Sequence, residues 1–244
     1  MKRILTSIAI AASLASCGAQ NDSIVKKIIG ADDRVLIPDS DYELDEFKAV
    51  GKLYAYEDGS RAYDCTATLI EGRYVITSAH CIYIPGTWHK FEKFTWASME
   101  AGGYGIESDV EEVWTGYDGK EMKRVSDDWA IVKLADDLSD KIKPHTLKKY
   151  STIELRGKWA SYIGFGGYGD YSDSIGVQRG CNEITVIYDK KFGYKCDTEQ
   201  GASGGPVFDE FGNVIGVHKG ADKRSPFNFA VRVDDALKKL SEVK

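Results

Sequence analysis

The sequence predicts an all-β fold, and three observations support this prediction. From Val35 onward, short apolar runs alternate with clusters of Gly, Asp, Asn and Ser, which is the pattern of strands joined by turns. The chain has 244 residues, 43% of them hydrophobic, which is enough for a substantial core in a single all-β unit. One segment near the C-terminus has helical spacing. The pattern alone allows a sandwich as well as a barrel.

The individual elements follow from the apolar runs. Asp234 and Asp235 can cap a helix over 236–243, whose apolar residues lie on one face and are expected to dock on the second half of the fold. Runs with strand character cover 47–56, 65–70, 73–77, 129–134, 159–164, 183–188, 206–208, 214–218 and 229–233.

The N-terminus indicates export. Residues 1–16 contain Lys2 and Arg3 followed by an apolar run that is too short to cross a membrane, as in a secretory signal. The next residues, Leu14-Ala15-Ser16-Cys17, resemble a bacterial lipobox, so we expect a lipid on Cys17. The alternative is ordinary cleavage near Ala19, without an anchor. Residues 17–27 are predicted to be a tether or propeptide, and the protein to be lipid-anchored or released outside the cytoplasm.

The segment from Glu199 to Phe208, E-Q-G-A-S-G-G-P-V-F, contains a serine flanked by glycines. A serine hydroxyl is a weak nucleophile, so it needs a base and N–H groups aimed at the developing oxyanion. Because glycine lacks a Cβ, Gly201 can turn its own N–H and that of Ser203 toward one point. A glycine-flanked serine by itself is more often a plain loop, so the prediction depends on partner residues.

Two partner segments lie upstream. Residues 74–81, Y-V-I-T-S-A-H-C, form an apolar run that leads into His80, and residues 127–134, D-D-W-A-I-V-K-L, place Asp128 before another apolar run. Taken singly, His80 could be a structural histidine and Asp128 a turn residue. Together with the Ser203 segment, they resemble the three signature segments of the trypsin-like serine proteases, over most of the chain from about Ile28.

This resemblance implies two packed, six-stranded antiparallel β-barrels, the first over about 28–140 and the second over about 150–244, with a short C-terminal helix. It also implies a site at the seam, where Ser203 is the nucleophile, His80 the base and Asp128 the residue that orients the imidazole. The N–H groups of Gly201 and Ser203 would form the oxyanion hole. The competing interpretation is an inert, protease-like binding protein, which typically lacks one of these residues.

The cysteine count fits export. The chain has five cysteines, and a lipid on Cys17 leaves four for two disulfides. Of the three possible connectivities, we favour Cys65–Cys81 and Cys181–Cys196, because each closes a short loop beside a signature segment. The first pair also resembles the disulfide that braces the histidine loop in this family.

Substrate preference has two competing interpretations. Asp197, six residues before Ser203, occupies the position of the aspartate that binds Lys or Arg in trypsin. Thr198 and His218 match the residues that contact glutamate in bacterial glutamyl endopeptidases, although His218 could also be a packed strand histidine. Neighbours on an extended segment point to opposite sides, so Asp197 and Thr198 are not expected to line the pocket together. We favour cleavage after Glu, and more weakly after Asp.

Activation departs from trypsin, because Ala202 replaces the aspartate that receives a new α-amino group there. Lys27-Ile28-Ile29-Gly30 still resembles a cleavage site for a Lys-specific protease, and residues 30–34, G-A-D-D-R, resemble the start of mature glutamyl endopeptidases. We therefore expect cleavage after Lys27, which would place a cationic amine on Ile28 near the pocket.

Several other functions are disfavoured. The formal net charge of −6 argues against a nucleic-acid partner. Residues 164–169, G-F-G-G-Y-G, match a dinucleotide-binding pattern, but a loop rather than a helix follows them. His89 and His145 have no second ligand at metal-binding spacing, so no metal and no cofactor are expected. The expected partners are protein or peptide substrates, and the expected state is a monomer.

Overall fold

A computed structural model describes residues 28–84, 87, 89–100, 103–117, 125–166, 174–221 and 225–244. The predicted signal segment 1–16, the lipidation site Cys17 and the tether 17–27 lie outside these residues. Of the helices within the described ranges, none is long and apolar enough to cross a membrane.

The first half of the chain forms a closed, six-stranded antiparallel barrel in the order β2-β3-β4-β7-β6-β5. Its interior is filled by buried apolar side chains such as Leu53, Leu69, Val75, Trp96 and Val132. The elements of this half are β1 (Val35–Leu36), α1 (Asp45–Lys48), β2 (Val50–Glu57), β3 (Ser60–Glu71), β4 (Tyr74–Thr77), β5 (Lys93–Glu100), β6 (Gly103–Thr115) and β7 (Ala130–Leu134).

The second half forms a curled antiparallel sheet in the order β1-β9-β8-β11-β12-β13-β10. Its own core contains Leu155, Tyr162, Phe192, Val207 and Ile215. The elements are α2 (Thr152–Leu155), β8 (Trp159–Phe165), β9 (Ile175–Glu183), β10 (Lys191–Tyr194), β11 (Pro206–Phe208), β12 (Val214–Ala221), β13 (Asn228–Arg232) and α3 (Asp234–Val243). The predicted all-β fold class with a short C-terminal helix is confirmed; the second half is a curled, seven-stranded half-barrel with β1 as its added strand, where a closed six-stranded barrel is predicted.

The pairing of β1 differs from the prediction. Val35 lies opposite Val177 of β9, so the start of the chain belongs to the second sheet and not to the first barrel. The segment crosses over because Arg34, just before β1, is buried against Glu199 of the second half. A two-residue strand carries no periodicity from which its partner could be predicted.

Two other elements also differ from the sequence prediction. The expected strand over 183–188 is not continuous: β9 ends at Glu183 opposite Trp159, the first residue of β8, and the residues that follow turn to make isolated hydrogen bonds with β10. The C-terminal helix was expected to dock on the second half, but it returns to the first barrel. Tyr74 of β4 donates its hydroxyl hydrogen bond to the backbone oxygen of Val243 at 3.0 Å. Leu240 belongs to a core cluster drawn from both halves.

Candidate active site

His80 and Asp128 meet because their strands are neighbours. β4 and β7 are paired, with Thr77 opposite Ala130, so the turn that follows β4 and the residue that precedes β7 lie at the same end of the barrel. His80 Nδ1 is 2.8 Å from Asp128 Oδ2 and 3.0 Å from Oδ1. The backbone N–H of His80 also donates to Asp128 Oδ1, at 3.0 Å.

Asp128 is fully buried, and its charge is stabilised by His80. Burial alone would raise the pKa of Asp128, but the charge of His80 and the hydrogen bonds from His80 hold the pKa below its ordinary value. The carboxylate therefore accepts hydrogen bonds from His80 and fixes the imidazole with its hydrogen on Nδ1. This leaves Nε2 as the basic nitrogen.

Disulfides fix two segments of the site. Cys65 of β3 is joined to Cys81, next to His80, and Cys181 of β9 is joined to Cys196, next to Asp197. These are the two pairs favoured from the sequence. The sulfurs of Cys65 and Cys81 lie within 4.8 Å of a ring nitrogen of His80, but disulfide sulfurs do not offer thiolates to a metal. Such disulfides are typical of extracytoplasmic proteins.

The loop around Ser203 is attached to the first barrel. The backbone N–H of Thr66 donates to the oxygens of Gly201 and Ser203, at 3.1 and 2.9 Å. Gly201 and Gly204 have φ angles of 94° and 83°, a region that favours glycine. Within the described part of the chain, the N–H groups of Gly201 and Ser203 have no hydrogen-bond acceptor. Both are therefore available to a substrate oxygen.

His80 Nε2 is buried and has no hydrogen-bond partner among the described residues. The Ser203 loop and the His80 turn lie close together, since the backbone oxygen of His218 accepts hydrogen bonds from both Gly204 and Ser78, and no hydrogen bond joins Ser203 to His80. Hydrogen bonds of this kind are often long in the absence of substrate and become shorter when substrate binds. The arrangement thus has a buried carboxylate, an imidazole oriented by it, and two free N–H donors beside a serine.

His218 lies next to the serine loop. Its backbone oxygen accepts hydrogen bonds from Gly204 N–H and from the Ser78 hydroxyl, both at 2.9 Å. Its side chain is buried, and Tyr194 Oη is 2.6 Å from Nδ1. Burial, together with the nearby His80, lowers the pKa of His218 to about 3, so the ring is neutral at ordinary pH.

The Tyr194 hydroxyl contacts His218 at Nδ1 and can act as a donor there. Burial raises the pKa of Tyr194 well above its ordinary value, so its hydroxyl stays protonated. A neutral phenol that donates to Nδ1 leaves the imidazole hydrogen on Nε2. With Tyr194 as the donor, His218 offers an N–H donor at Nε2, although it carries no positive charge.

The Asp197 side chain is turned toward the N-terminal segment. The carboxylate of Asp197 accepts hydrogen bonds from the backbone N–H groups of Ile29 and Asp33, at 2.6 and 3.1 Å, and from Gln178 Nε2 at 3.3 Å. Glu199, on the same side as Asp197, pairs with Arg34 at 2.9 Å. Thr198, between them in sequence, is also buried. Asp197 is thus bound to the N-terminal segment that follows Ile28.

Sequence reasoning missed Tyr194, Arg34 and Gln178. Tyr194 is 24 residues from His218, and Arg34 is 165 residues from Glu199. Such contacts depend on which strands are paired, so no local pattern indicates them. Ile28 itself is half-buried at the start of the described chain.

Comparisons with solved structures agree with this fold. A structure described as a Glu endopeptidase in complex with MPD superposes with a TM-score of 0.74 at 18% identity, covering 88% of this chain and 98% of that chain. The thermostable serine protease AL20 from an extremophilic microorganism gives 0.66 at 17% identity, covering 82% and 99%. A structure of HL collagenase gives 0.65 at 17% identity, covering 88% and 100%.

At these identities, the structural likeness shows the fold alone. No curated protein sequence matches the chain significantly. The sequence model of the trypsin family, described as Trypsin, matches residues 46–240, which is most of the chain. The chain therefore belongs to the trypsin family and is a serine protease, a hydrolase that acts on proteins or peptides.

Proposed function

We propose that this protein is an endopeptidase that cleaves after Glu, and more weakly after Asp, through an acyl-enzyme on Ser203. In this proposal, His80 takes the proton of Ser203 and returns it to the leaving amine. Asp128 holds the imidazole tautomer and stabilises the imidazolium. The hydrogen bonds between His80 and Asp128 support these roles.

The oxyanion hole is assigned to the N–H groups of Gly201 and Ser203. Their lack of an acceptor among the described residues supports this assignment. Two preorganised donors stabilise the negative charge that develops on the attacked carbonyl oxygen, which is usually a large contribution to catalysis. An inert binding protein would have no need for such donors beside a serine and an oriented imidazole.

The preference for Glu rests on one observation, the contact between Tyr194 Oη and Nδ1 of the buried and neutral His218, which places the imidazole hydrogen on Nε2 when Tyr194 is the donor. A substrate carboxylate in a partly desolvated pocket needs strong donors, and His218 Nε2–H and the Thr198 hydroxyl can supply them. A bound carboxylate would also favour protonation of His218, which would strengthen the interaction.

The alternative, cleavage after Lys or Arg, needs a free carboxylate in the pocket. Asp197 already accepts two backbone N–H groups and the amide of Gln178. Turning Asp197 into the pocket would leave these buried donors without partners, at a cost of about 1–3 kcal/mol each. This cost weighs against trypsin-like specificity.

Processing after Lys27 is part of the proposal. The N–H of Ile29 donates to Asp197 at 2.6 Å, so an α-amino group on Ile28 would lie one residue from the residue bound to this carboxylate. A cation at this position would favour an anionic substrate side chain nearby. N-terminal sequencing of the active enzyme tests this step, and a start at Cys17 or Gln20 would rule it out.

Localisation follows from the segments assigned by sequence. We propose a signal peptide over 1–16, a tether over 17–27 and a protease domain over 28–244, with a lipid on Cys17 that holds the protein at a membrane until it is processed. Cys17→Ala should move the protein from the membrane fraction to the soluble fraction. Unchanged partitioning would contradict lipidation.

The proposed chemistry is tested with a serine-directed fluorophosphonate and a peptide library. We expect stoichiometric labelling that Ser203→Ala abolishes, and cleavage after Glu. His218→Ala should lose about 2–4 kcal/mol of transition-state stabilisation with Glu substrates, the range for leaving a charge without its partner. Failure of the folded, processed protein to label would favour an inert protein. Cleavage after Lys or Arg that ignores His218→Ala would favour trypsin-like specificity.

A further inference from the structure

The chain start lies against the loop that leads to Ser203. We call residues 29–34 the N-terminal strap and residues 197–203 the serine loop. Asp197 of the serine loop accepts the backbone N–H groups of Ile29 and Asp33. Two residues later, Glu199 Oε2 accepts a hydrogen bond from Arg34 Nη2 at 2.9 Å. Alternate side chains of the serine loop therefore hold the strap.

Arg34 is the strongest of these connections. Its side chain is 3% exposed, and Asp32 holds the guanidinium from the strap itself, with Nε to Oδ1 at 2.9 Å and Nη2 to Oδ2 at 2.7 Å. Burial alone would lower the pKa of Arg34, but Asp32 and Glu199 raise it above its ordinary value. The guanidinium is a permanent charge whose orientation is fixed by two carboxylates.

Glu199 connects the strap to the oxyanion donors. Its backbone oxygen accepts the N–H of Ala202 at 3.1 Å, which closes a turn that contains Gly201 and ends beside Ser203. The other side of this turn is held by Thr66, which donates to Gly201 and Ser203 oxygens. A movement of Glu199 would therefore shift Gly201 N–H relative to Ser203 N–H.

We propose that Arg34 is a positioning residue for the oxyanion hole, which it holds in place through Glu199. The proposal rests on the assignment of Ser203 and the Gly201 N–H to the reacting site, but it does not depend on the preference for Glu. The strap holds the turn through Asp197 and Glu199. Removal of Arg34 should lower turnover for every substrate that forms the same oxyanion.

The test is a double-mutant cycle of Arg34→Met and Glu199→Gln in the full, processed chain. Two peptides that differ only in Glu or Met before the cut bond are assayed, with active sites titrated by fluorophosphonate. We expect Arg34→Met to lower kcat roughly 10- to 100-fold with both peptides, somewhat less than the loss of a whole oxyanion donor, while KM changes little. Arg34→Lys should recover part of the loss.

Because Arg34 acts through Glu199, the double variant should be no slower than the slower single variant. Glu199→Gln keeps the size of the side chain and provides the same readout if Arg34→Met fails to fold; we expect a loss of roughly 5- to 20-fold.

Arg232→Met is the matched control. Arg232 is also a buried arginine of the second half and pairs with Asp234, but it donates to the backbone oxygens of Asp189 and Tyr150, not to the serine loop. It should lower stability and leave kcat per titrated site within about twofold.

Three results would overturn the proposal: kcat of Arg34→Met within about twofold of the parent, an equal loss in Arg232→Met, or multiplicative losses in the double variant. Ser203→Ala separates this failure from failure of the proposed site. If Ser203→Ala keeps activity, the site is wrong; if it abolishes activity and Arg34→Met does not matter, only the strap proposal is wrong.

Discussion

Replacing Tyr194 with phenylalanine removes a single oxygen atom from a fully buried contact. Tyr194 Oη is 2.6 Å from His218 Nδ1, and the phenylalanine ring would fill the same space against Phe192 and the His218 ring. After the change, Nδ1 is a buried acceptor without a donor, and nothing fixes the imidazole hydrogen on Nε2. The substitution therefore tests whether the tautomer of His218 determines substrate preference.

The magnitude follows from the loss of one hydrogen bond in a dry site. A buried acceptor left without its partner costs about 1–3 kcal/mol, which is the expected fall in the free energy of unfolding. In catalysis, His218 must now adopt its Nε2–H form without help. We expect kcat/KM for a Glu peptide to fall about 5- to 30-fold, which corresponds to about 1–2 kcal/mol. This is less than the effect of removing the imidazole in His218→Ala.

The assay compares peptides that differ only in Glu or Met before the cut bond. Tyr194→Phe should lower kcat/KM for the Glu peptide and leave the Met peptide within about twofold, because Met makes no hydrogen bond to His218. Tyr150→Phe is the control, since Tyr150 donates to Asp209 at 2.8 Å elsewhere in the same half. Equal losses with both peptides would refute the role of Tyr194 in preference. Parent enzyme that prefers Met would refute the proposed preference itself.

Three further predictions concern stability, and chemical denaturation measures each. Gly204→Ala should lower the free energy of unfolding by more than about 3 kcal/mol, because the added Cβ would collide with Thr77 and the Thr66 backbone. Gly212 is also left-handed but has open space around it, so Gly212→Ala should lower it by only about 1–2 kcal/mol. Equal losses would contradict the steric argument. The pKa of His218 is about 6.5 in the unfolded chain and about 3 in the folded protein. The contribution of the neutral, buried side chain to the free energy of unfolding is therefore fully present above pH 6.5 and is lost as the pH falls toward 3. As the pH falls through that window, the free energy of unfolding should decrease by about 1.4 kcal/mol per pH unit because of His218. His218→Asn should reduce this slope by up to the same amount, and an unchanged slope would be inconsistent with the lowered pKa. Cys181 and Cys196 are 15 residues apart, and replacing both with alanine should lower the free energy of unfolding by about 3 kcal/mol. A loss below about 1 kcal/mol would mean that the short loop is already ordered in the unfolded chain.

The features that sequence alone predicted are local ones. The strand that ends at His80, the strand that follows Asp128 and the glycine-rich turn at Ser203 are each contained in about ten consecutive residues, so their residue types reveal them directly. The two disulfides join cysteines 16 and 15 residues apart, and such short loops beside signature segments favour these pairs over the other connectivities. Alternation along an extended segment also leads to the prediction, which stays a prediction, that Asp197 and Thr198 do not line the pocket together.

The tertiary structure decided where the Asp197 side chain points. It is turned toward the N-terminal segment, 168 residues earlier at Ile29, because that segment supplies N–H groups that need an acceptor. The pairing of β1 with β9, the Arg34 contact with Glu199 and the Tyr194 contact with His218 are of the same kind. Each joins residues that are distant in sequence and depends on strand order and register, which no local periodicity specifies. The sequence by itself determined the fold class and the candidate reacting groups, and only the packed sheets decided how the surrounding side chains orient them.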